Sequence, residues 1–420
     1  MSTLQGKAII GQSGGPTAAI NATLAGVIAG CFASNAEGTG VTGILGMKNG
    51  IEGFMQENIV DLYEFFKTYY EDKIDERKIE LLKNTPAAAL GSCRKKLPNP
   101  SEDPAFYEAL IELFKKNDIR YFFYIGGNDS MDTVAKLTEY LKTSDYEMRV
   151  MGVPKTIDND LDGTDHTPGF GSAAKYIATT VQEIIRDCSV YTTPAVTIVE
   201  IMGRDAGWLT ASAALPGAIN GATIDYIYLP EVNFSLENFY EDIEEALAKH
   251  PNVVVAVSEG IRFEDGRYVG EGTQSGVADV FGHKYLSGTG KALELAVKEK
   301  FGCKVRSIEL NLPQRCASHL ASKTDIDESY TTGNEAVKAA LNGTTGAMMT
   351  IARSGGRRYN VSYAPKDVCE IANKVKCVPR DYINDRGNNV TKACIDYIKP
   401  LIVGETTPQY ENGLPVHTVI

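Results

Sequence analysis

YFFYIGGNDSMDTVAKLTEYLKTSDYEMRVMGVPKTIDNDLDGTDHTPGFG, residues 121–171, sets out two strand patterns and a helix pattern in the order that decides the fold. The run YFFYIGG is apolar enough for a buried strand. Asn128, Asp129 and Ser130 follow as a polar turn, a helix pattern comes next, and RVMGV at 149–153 reads as a second strand. Two strands about thirty residues apart, ending in Gly-rich and carboxylate-bearing loops, are what a parallel α/β sheet presents at its carboxyl edge, where such folds bind ligands. That edge is the candidate active site.

The second loop carries the sharper chemistry. Behind Pro154 it places Lys155, Thr156, Asp158, Asn159 and Asp160, which is one cation, one hydroxyl and two carboxylates. Phosphoryl transfer asks for these parts: a positive charge for the transferring group, a carboxylate to take the acceptor's proton, and oxygen ligands for a metal. The same residues would also suit an Asx-rich turn whose side chains only cap backbone groups.

Upstream, KAIIG at 7–11 leads into Gln12, Ser13, Gly14, Gly15 and Pro16 and a helix pattern from Ala18 to about Ala33. A strand, a Gly turn and a helix N-terminus together can cradle an anion, although many α/β proteins use such a turn for packing alone. It is not a Walker loop, because Gly290-Lys291 is followed by Ala292 and no glycine stands at the required spacing before it. The formal G-x-G-x-x-G at Gly38, Gly40 and Gly43 follows a helix pattern and enters a strand pattern, the wrong order for dinucleotide binding. Residues 54–85, charged and aromatic, have no place in a βαβ count and read as an inserted excursion or interface element. Arg94, Lys95 and Lys96 then fall on a loop; such a triplet is usually a solvated face, but Arg94 is the fork-shaped donor an anion cradle would use.

Downstream, a helix pattern at about 172–187 leads to the strand AVTIVEI and then Met202, Gly203, Arg204 and Asp205. VVVAVSEG at 253–260 ends by Glu259, and CKVRSIELNLPQRC carries Arg306 and Arg315. Residues 325–341 read as a further helix before the strand AMMTIA, and the chain from about 366 is irregular. Strands alternating with helices of about ten to fifteen residues imply βαβ units and mainly parallel sheets, in two layers split near residue 170.

Composition agrees with this class. A chain of 420 residues with 43% hydrophobic content is long enough for two α/β domains with full cores. The net charge of −12 argues against a nucleic-acid or anionic-membrane partner, so an anionic ligand must be held by a local basic cluster. Eight cysteines stand singly with no C-x-x-C pair, which disfavours a disulfide framework or zinc site. No apolar run approaches the eighteen or so residues of a membrane span. The N-terminus enters a strand and Gly turn without a charged leader, and a reduced, cytoplasmic protein is expected.

With these residues laid out, the chain resembles the 6-phosphofructokinase family. The matching motifs are SGGPTAAIN at 13–21, LGSCR at 90–94, GGNDS at 126–130, PKTIDND at 154–160, EIMGR at 200–204, Glu259 after its strand, and VRS…PQR at 305–315, in family order. The resemblance implies two doubly wound, mainly parallel-sheet, Rossmann-like domains with the active site in the cleft between them. Residues 1–168 with 318–365 would hold the phosphoryl donor, and 169–317 with 366–420 the sugar phosphate.

It further implies a magnesium-dependent glycolytic transferase acting on fructose 6-phosphate. Asp158 would be the general base that takes the proton from the sugar C1 hydroxyl, with Thr156, Ile157 and Asp160 lining the reaction centre. Gly14, Arg94 and Ser130 would hold the donor; Met202, Gly203, Arg204 and Glu259 the sugar; Arg306 and Arg315 its distal phosphate. In the family the counterpart of Arg306 reaches in from a neighbouring subunit, so a homodimer or homotetramer with shared sites is expected.

Two positions decide the donor. ATP-using members generally carry GGDGS and PGTIDND, whose glycines let the inner phosphate of ATP lie against the backbone; here Asp129 and Lys155 take those places. A carboxylate at 129 would repel that phosphate, and an ammonium at 155 would neutralise charge growing on a pyrophosphate leaving group. Pyrophosphate is therefore the expected donor. The competing expectations are an ATP-dependent enzyme, a pyrophosphate enzyme preferring sedoheptulose 7-phosphate, and a non-catalytic sugar-phosphate-binding subunit.

Three departures from the family pattern bear on the site. Asn128 stands where many members have an Asp that helps hold magnesium, so Mg²⁺ is expected to lean on Asn128, Asp129 or Asp160 through water. Leu312 replaces a polar contact to the distal phosphate, and Ala195 replaces an Arg from the neighbouring subunit. These losses leave room for a longer sugar or for basic groups from elsewhere, such as Lys95, Lys96 and Lys175.

Overall fold

The apolar runs become strands buried on both faces. In the strand Ile119–Gly126, Tyr121, Phe123 and Ile125 pack into one core with Ile10 and Val153, while Phe122 and Tyr124 pack into the opposite core with Ile9 and Val150. That alternation is the period of two of a pleated strand, and helices on both faces explain why the run is apolar throughout.

The structure is a computed structural model that describes residues 4–271, 288–356 and 358–420. Its main strands are β1 (Gly6–Gln12), β2 (Val41–Met47), β3 (Ile59–Asp61), β4 (Ile119–Gly126), β5 (Arg149–Pro154), β6 (Ala195–Ile201), β7 (Tyr226–Tyr228), β8 (Asn252–Ser258), β9 (Lys304–Glu309), β10 (Ala347–Arg353) and β11 (Val361–Asp367). The larger sheet runs β11–β10–β5–β4–β1–β2–β3. Its five central strands are parallel and both edges are antiparallel. The smaller sheet, β7–β8–β6–β9, is parallel throughout. This is the expected pair of Rossmann-like α/β layers.

Helices Ile20–Ala36 and Lys323–Leu341 cross over the large sheet with their backbones almost touching. A Cβ on Gly26 would stand 1.9 Å from the Tyr330 carbonyl oxygen, and one on Gly333 would stand 2.3 Å from that of Thr23, so both positions require glycine.

Two local expectations are corrected. Asn128, Asp129 and Ser130 form the first turn of the helix Asn128–Leu141, because the helix starts directly after Gly127. Asp129 thereby sits at the positive end of the helix dipole. Residues 54–85 are part of the fold: β3 closes the sheet edge, and Leu62, Phe66, Ile79 and Leu82 from this stretch are buried in the large-sheet core. The tail beyond 366 is irregular as expected, yet Ile371, Val378, Ile383, Ile398 and Leu401 are buried, so it is packed against both halves of the molecule.

Candidate active site

The carboxyl ends of β1, β4 and β5 face those of β6, β8 and β9 across a cleft of about 850 Å³. At its floor lies the loop after β5. Asn159 takes a left-handed backbone (φ 54°), which Asn tolerates through local side-chain hydrogen bonding. Its own side chain is fully buried: Oδ1 accepts from the Thr167 N–H at 3.1 Å and Nδ2 donates to the Tyr397 hydroxyl at 2.9 Å. Pinned there, Asn159 leaves its neighbours Asp158 and Asp160 on the cleft wall.

Burial holds the Asp158 carboxyl above its ordinary range, against the pull of Lys155, Arg204, the Thr156 hydroxyl and Arg315. Asp160 is pushed up to about 7 by burial first and by the Asp158 charge second. Lys155 is buried, and burial brings its ammonium down to about 8 despite Asp158 and Asp160. Its Nζ donates to the Gly15 carbonyl at 2.6 Å and lies 3.3 Å from where a Gly14 Cβ would stand. The Gly turn at 14 (φ 77°) therefore serves the close approach of a cation. The Gly14 N–H itself donates to the Cys93 carbonyl at 3.1 Å, and the helix begins only at Ile20, so this amide is not the anion cradle expected from the sequence.

Positive charge is supplied instead by side chains. Arg94 and Arg315 both depress the Lys155 ammonium, and Arg315 Nη1 lies 3.4 Å from the position of a Gly15 Cβ, so its guanidinium faces the loop after β1. Lys96 pairs with Asp129 at 3.2 Å on the same wall. Ser130 and Ile157 line this side as well.

Across the cleft, Met202 and Arg204 follow β6. The Met202 N–H donates to Gln314 Oε1 at 3.2 Å, and the Gly203 N–H, in a glycine-requiring backbone (φ 142°), donates to Glu259 Oε1 at 3.4 Å. Glu259 is raised to about 8, by burial first and then by Asp158.

Three expectations need restating. Asn128 has its amide engaged by the tail, since Oδ1 accepts from the Asn373 N–H at 2.7 Å and Nδ2 donates to the Lys374 carbonyl at 2.6 Å. This disfavours it as a metal ligand. Arg306 lies outside its own chain's cleft, exposed on β9 beside a separate cavity of about 260 Å³ that Lys304 and Ala195 also line. Lys175 is no spare cation for the sugar: it is buried and donates to the Gly404 carbonyl at 2.7 Å and to Glu405 at 2.8 Å. Leu312, Lys95 and Lys96 do line the cleft. The tail residues Asn373 and Val375 also line it, and no local signal in the sequence marked them.

Among the described residues, no three His, Cys, Asp or Glu side chains converge as a metal cage. Asp129, Asp158 and Asp160 with the Thr156 hydroxyl nevertheless share one cleft. That donor set suits Mg²⁺, which keeps several waters and binds through one or two carboxylates together with phosphate oxygens.

Paired carboxylates, a buried lysine flanked by arginines and a cleft between two mainly parallel sheets are the equipment of a phosphoryl-transferring enzyme. The family described as phosphofructokinase matches residues 7–340. The chain is 39% identical to a pyrophosphate–fructose 6-phosphate 1-phosphotransferase of Halomonas elongata, over 98% of this chain and 95% of that one. Crystal structures of pyrophosphate-dependent phosphofructokinases superpose closely. That from Nitrosospira multiformis has a TM-score of 0.86 at 35% identity, covering 99% of this chain and 96% of the other. That from Marinobacter aquaeolei has a TM-score of 0.84 at 37% identity, covering 98% and 95%. The chain belongs to the phosphofructokinase family.

Proposed function

We propose that this chain moves a phosphoryl group from pyrophosphate to the C1 hydroxyl of fructose 6-phosphate, giving fructose 1,6-bisphosphate and phosphate. The observation that carries the choice of donor is Lys155, a buried ammonium seated on the Gly15 carbonyl beside Asp158 and Asp160. The names of the similar proteins support the same donor and sugar.

The large-sheet half, 1–168 with 318–365, takes the donor, and the remainder, 169–317 with 366–420, takes the sugar. Arg94, Lys155 and Arg315 draw pyrophosphate into a chain whose overall charge would repel it. Met202, Arg204 and Glu259 hold the sugar so that its C1 hydroxyl meets Asp158, which accepts the proton as the new P–O bond forms. Lys155 neutralises charge on the departing phosphate. Asp129 or Asp160 would hold Mg²⁺, which when bound would offset negative charge on the donor oxygens. Little covalent help is needed; alignment and fixed charge supply most of the acceleration.

Arg306, exposed and outside the lining of its own cleft, supports an assembly in which copies share sites, as a homodimer or homotetramer. All eight cysteines are free thiols, which supports a reduced, cytoplasmic setting. No helix among the described residues is long and apolar enough to cross a membrane.

Because the donor and product phosphates differ modestly in transfer potential, the reaction should run both ways. Phosphorus NMR of the enzyme with fructose 1,6-bisphosphate, phosphate and Mg²⁺ is expected to show pyrophosphate and fructose 6-phosphate appearing. A forward reaction with no detectable reverse flux would contradict this assignment of donor.

A further inference from the structure

Segment 373–378 leaves the large sheet after β11 and passes the end of the cleft as a strap. Its Asn373 N–H and Lys374 carbonyl grip the Asn128 amide. The Lys376 N–H donates to the Asp160 carbonyl at 2.8 Å. The Lys376 carbonyl accepts from Trp208 Nε1 at 2.9 Å, and the Val378 N–H donates to Glu231 Oε1 at 2.8 Å. Three parts of the molecule distant in sequence are thus joined by one short stretch.

The strap also carries an inward-facing cation. Lys376 Nζ donates to the Asp165 carbonyl at 2.7 Å, to the Thr164 carbonyl at 3.1 Å and to Asn159 Oδ1 at 3.4 Å, and it lies 5.4 Å from the Trp208 ring centroid. The charged groups facing it are Asp165, Asp160, Asp162 and Arg353. All three acceptors belong to the stretch 159–165, and Asn159 is the residue that sits between the two cleft carboxylates. One ammonium therefore grips the loop after β5, and Lys376 is not among the residues that line the cleft.

We infer that Lys376 is a positioning residue for the phosphoryl transfer, an ammonium delivered by the C-terminal strap that sets Asn159 and through it Asp158. The inference rests on the functional reading above. It requires nothing of substrate binding, because the Lys376 ammonium donates to the loop at 159–165 and not to the residues assigned to the donor or the sugar, namely Arg94, Lys155, Arg315, Met202, Arg204 and Glu259. Loosening the loop should therefore cost rate and spare affinity, since a general base displaced by a fraction of an ångström loses alignment first.

The test is steady-state kinetics of the full chain with fructose 6-phosphate, pyrophosphate and Mg²⁺. Lys376→Met is expected to lower kcat by about 10- to 100-fold with both KM values within about threefold of wild type. Trp208→Phe removes the indole N–H that holds the same strap by its backbone and leaves the ammonium in place; its kcat is expected to stay within about twofold. A Lys376→Met enzyme with kcat near wild type would overturn the inference, as would a Trp208→Phe enzyme impaired to the same degree, since the strap would then act only as a structural tie. If the Met variant does not fold, Lys376→Gln, which keeps neutral amide N–H donors for the loop carbonyls but no charge, is expected to fold and show the same split between kcat and KM. Failure of both to fold would make Lys376 structural and overturn the inference. Wild type without turnover on pyrophosphate would sink the functional reading, whereas an active wild type matched by an equally active Met variant would sink only the role of Lys376.

Discussion

Asp158→Asn is expected to lower kcat by roughly 10³- to 10⁴-fold, about 4–5 kcal/mol of transition-state stabilisation, while the protein stays folded. The amide has nearly the shape of the carboxylate but cannot accept the C1 hydroxyl proton. The fold has no reason to suffer. Asp158 is a carboxylate whose charged form is disfavoured by burial, and its charge is one of the causes that push Asp160 up to about 7. Removing it relieves like-charge repulsion, so thermal denaturation should show no loss of stability. The same environment fixes the sign of the pH dependence. A base must be ionised to act, and the Asp158 carboxyl is held above its usual range. In the wild type kcat/KM should therefore fall with decreasing pH already above the ordinary carboxylate region. Near-normal turnover in the Asn variant would remove Asp158 from the role of base.

The second large effect is at Lys155. Replacing it by glycine is expected to reduce pyrophosphate-supported kcat/KM by roughly 10²- to 10³-fold, about 3–4 kcal/mol, the scale on which a preorganised charge at a transition state acts. Lys155 is buried beside two carboxylates, so its removal leaves Asp158 and Asp160 with less compensating charge and should move the acid limb of the pH profile upward. Combining Lys155→Gly with Asp129→Gly opens the backbone at both donor positions. The double variant should then shift the ratio of pyrophosphate to ATP use toward ATP relative to wild type. Asp129 acts in this through local repulsion rather than through stability, since its pairing with Lys96 is half-exposed and such pairs contribute little. Unchanged donor preference in the double variant would refute the assignment of these two side chains.

Much of this was legible in the chain itself, and the limits have physical causes. Strands β4, β5, β6 and β8 could be read because parallel strands covered on both faces are continuously apolar. The cleft residues could be read because they stand at the ends of those strands. β3 was hidden: a three-residue antiparallel edge strand amid charged and aromatic residues carries almost no period. The polar appearance of Asn128-Asp129-Ser130 suggested a turn, although polar residues also suit a first helical turn. Arg315 was expected at the distal phosphate of the sugar; that its guanidinium also faces the loop after β1 is a matter of side-chain direction that sequence spacing does not encode. Lys376 was invisible for a different reason. Its partner Asp165 is 211 residues away, and nothing local distinguishes an ammonium that crosses to the catalytic loop from one left in water.

On the proposed reading, a buried lysine and a carboxylate at the donor end commit this cleft to pyrophosphate. The most direct measurement is the initial rate of fructose 1,6-bisphosphate formation by the wild type, from fructose 6-phosphate and Mg²⁺, with pyrophosphate in one reaction and ATP in the other. The pyrophosphate rate is expected to exceed the ATP rate by at least about 100-fold, in line with the charge stabilisation assigned to Lys155. An ATP rate equal to or above the pyrophosphate rate would show that Asp129 and Lys155 do not exclude the nucleotide, and the donor assignment would fall.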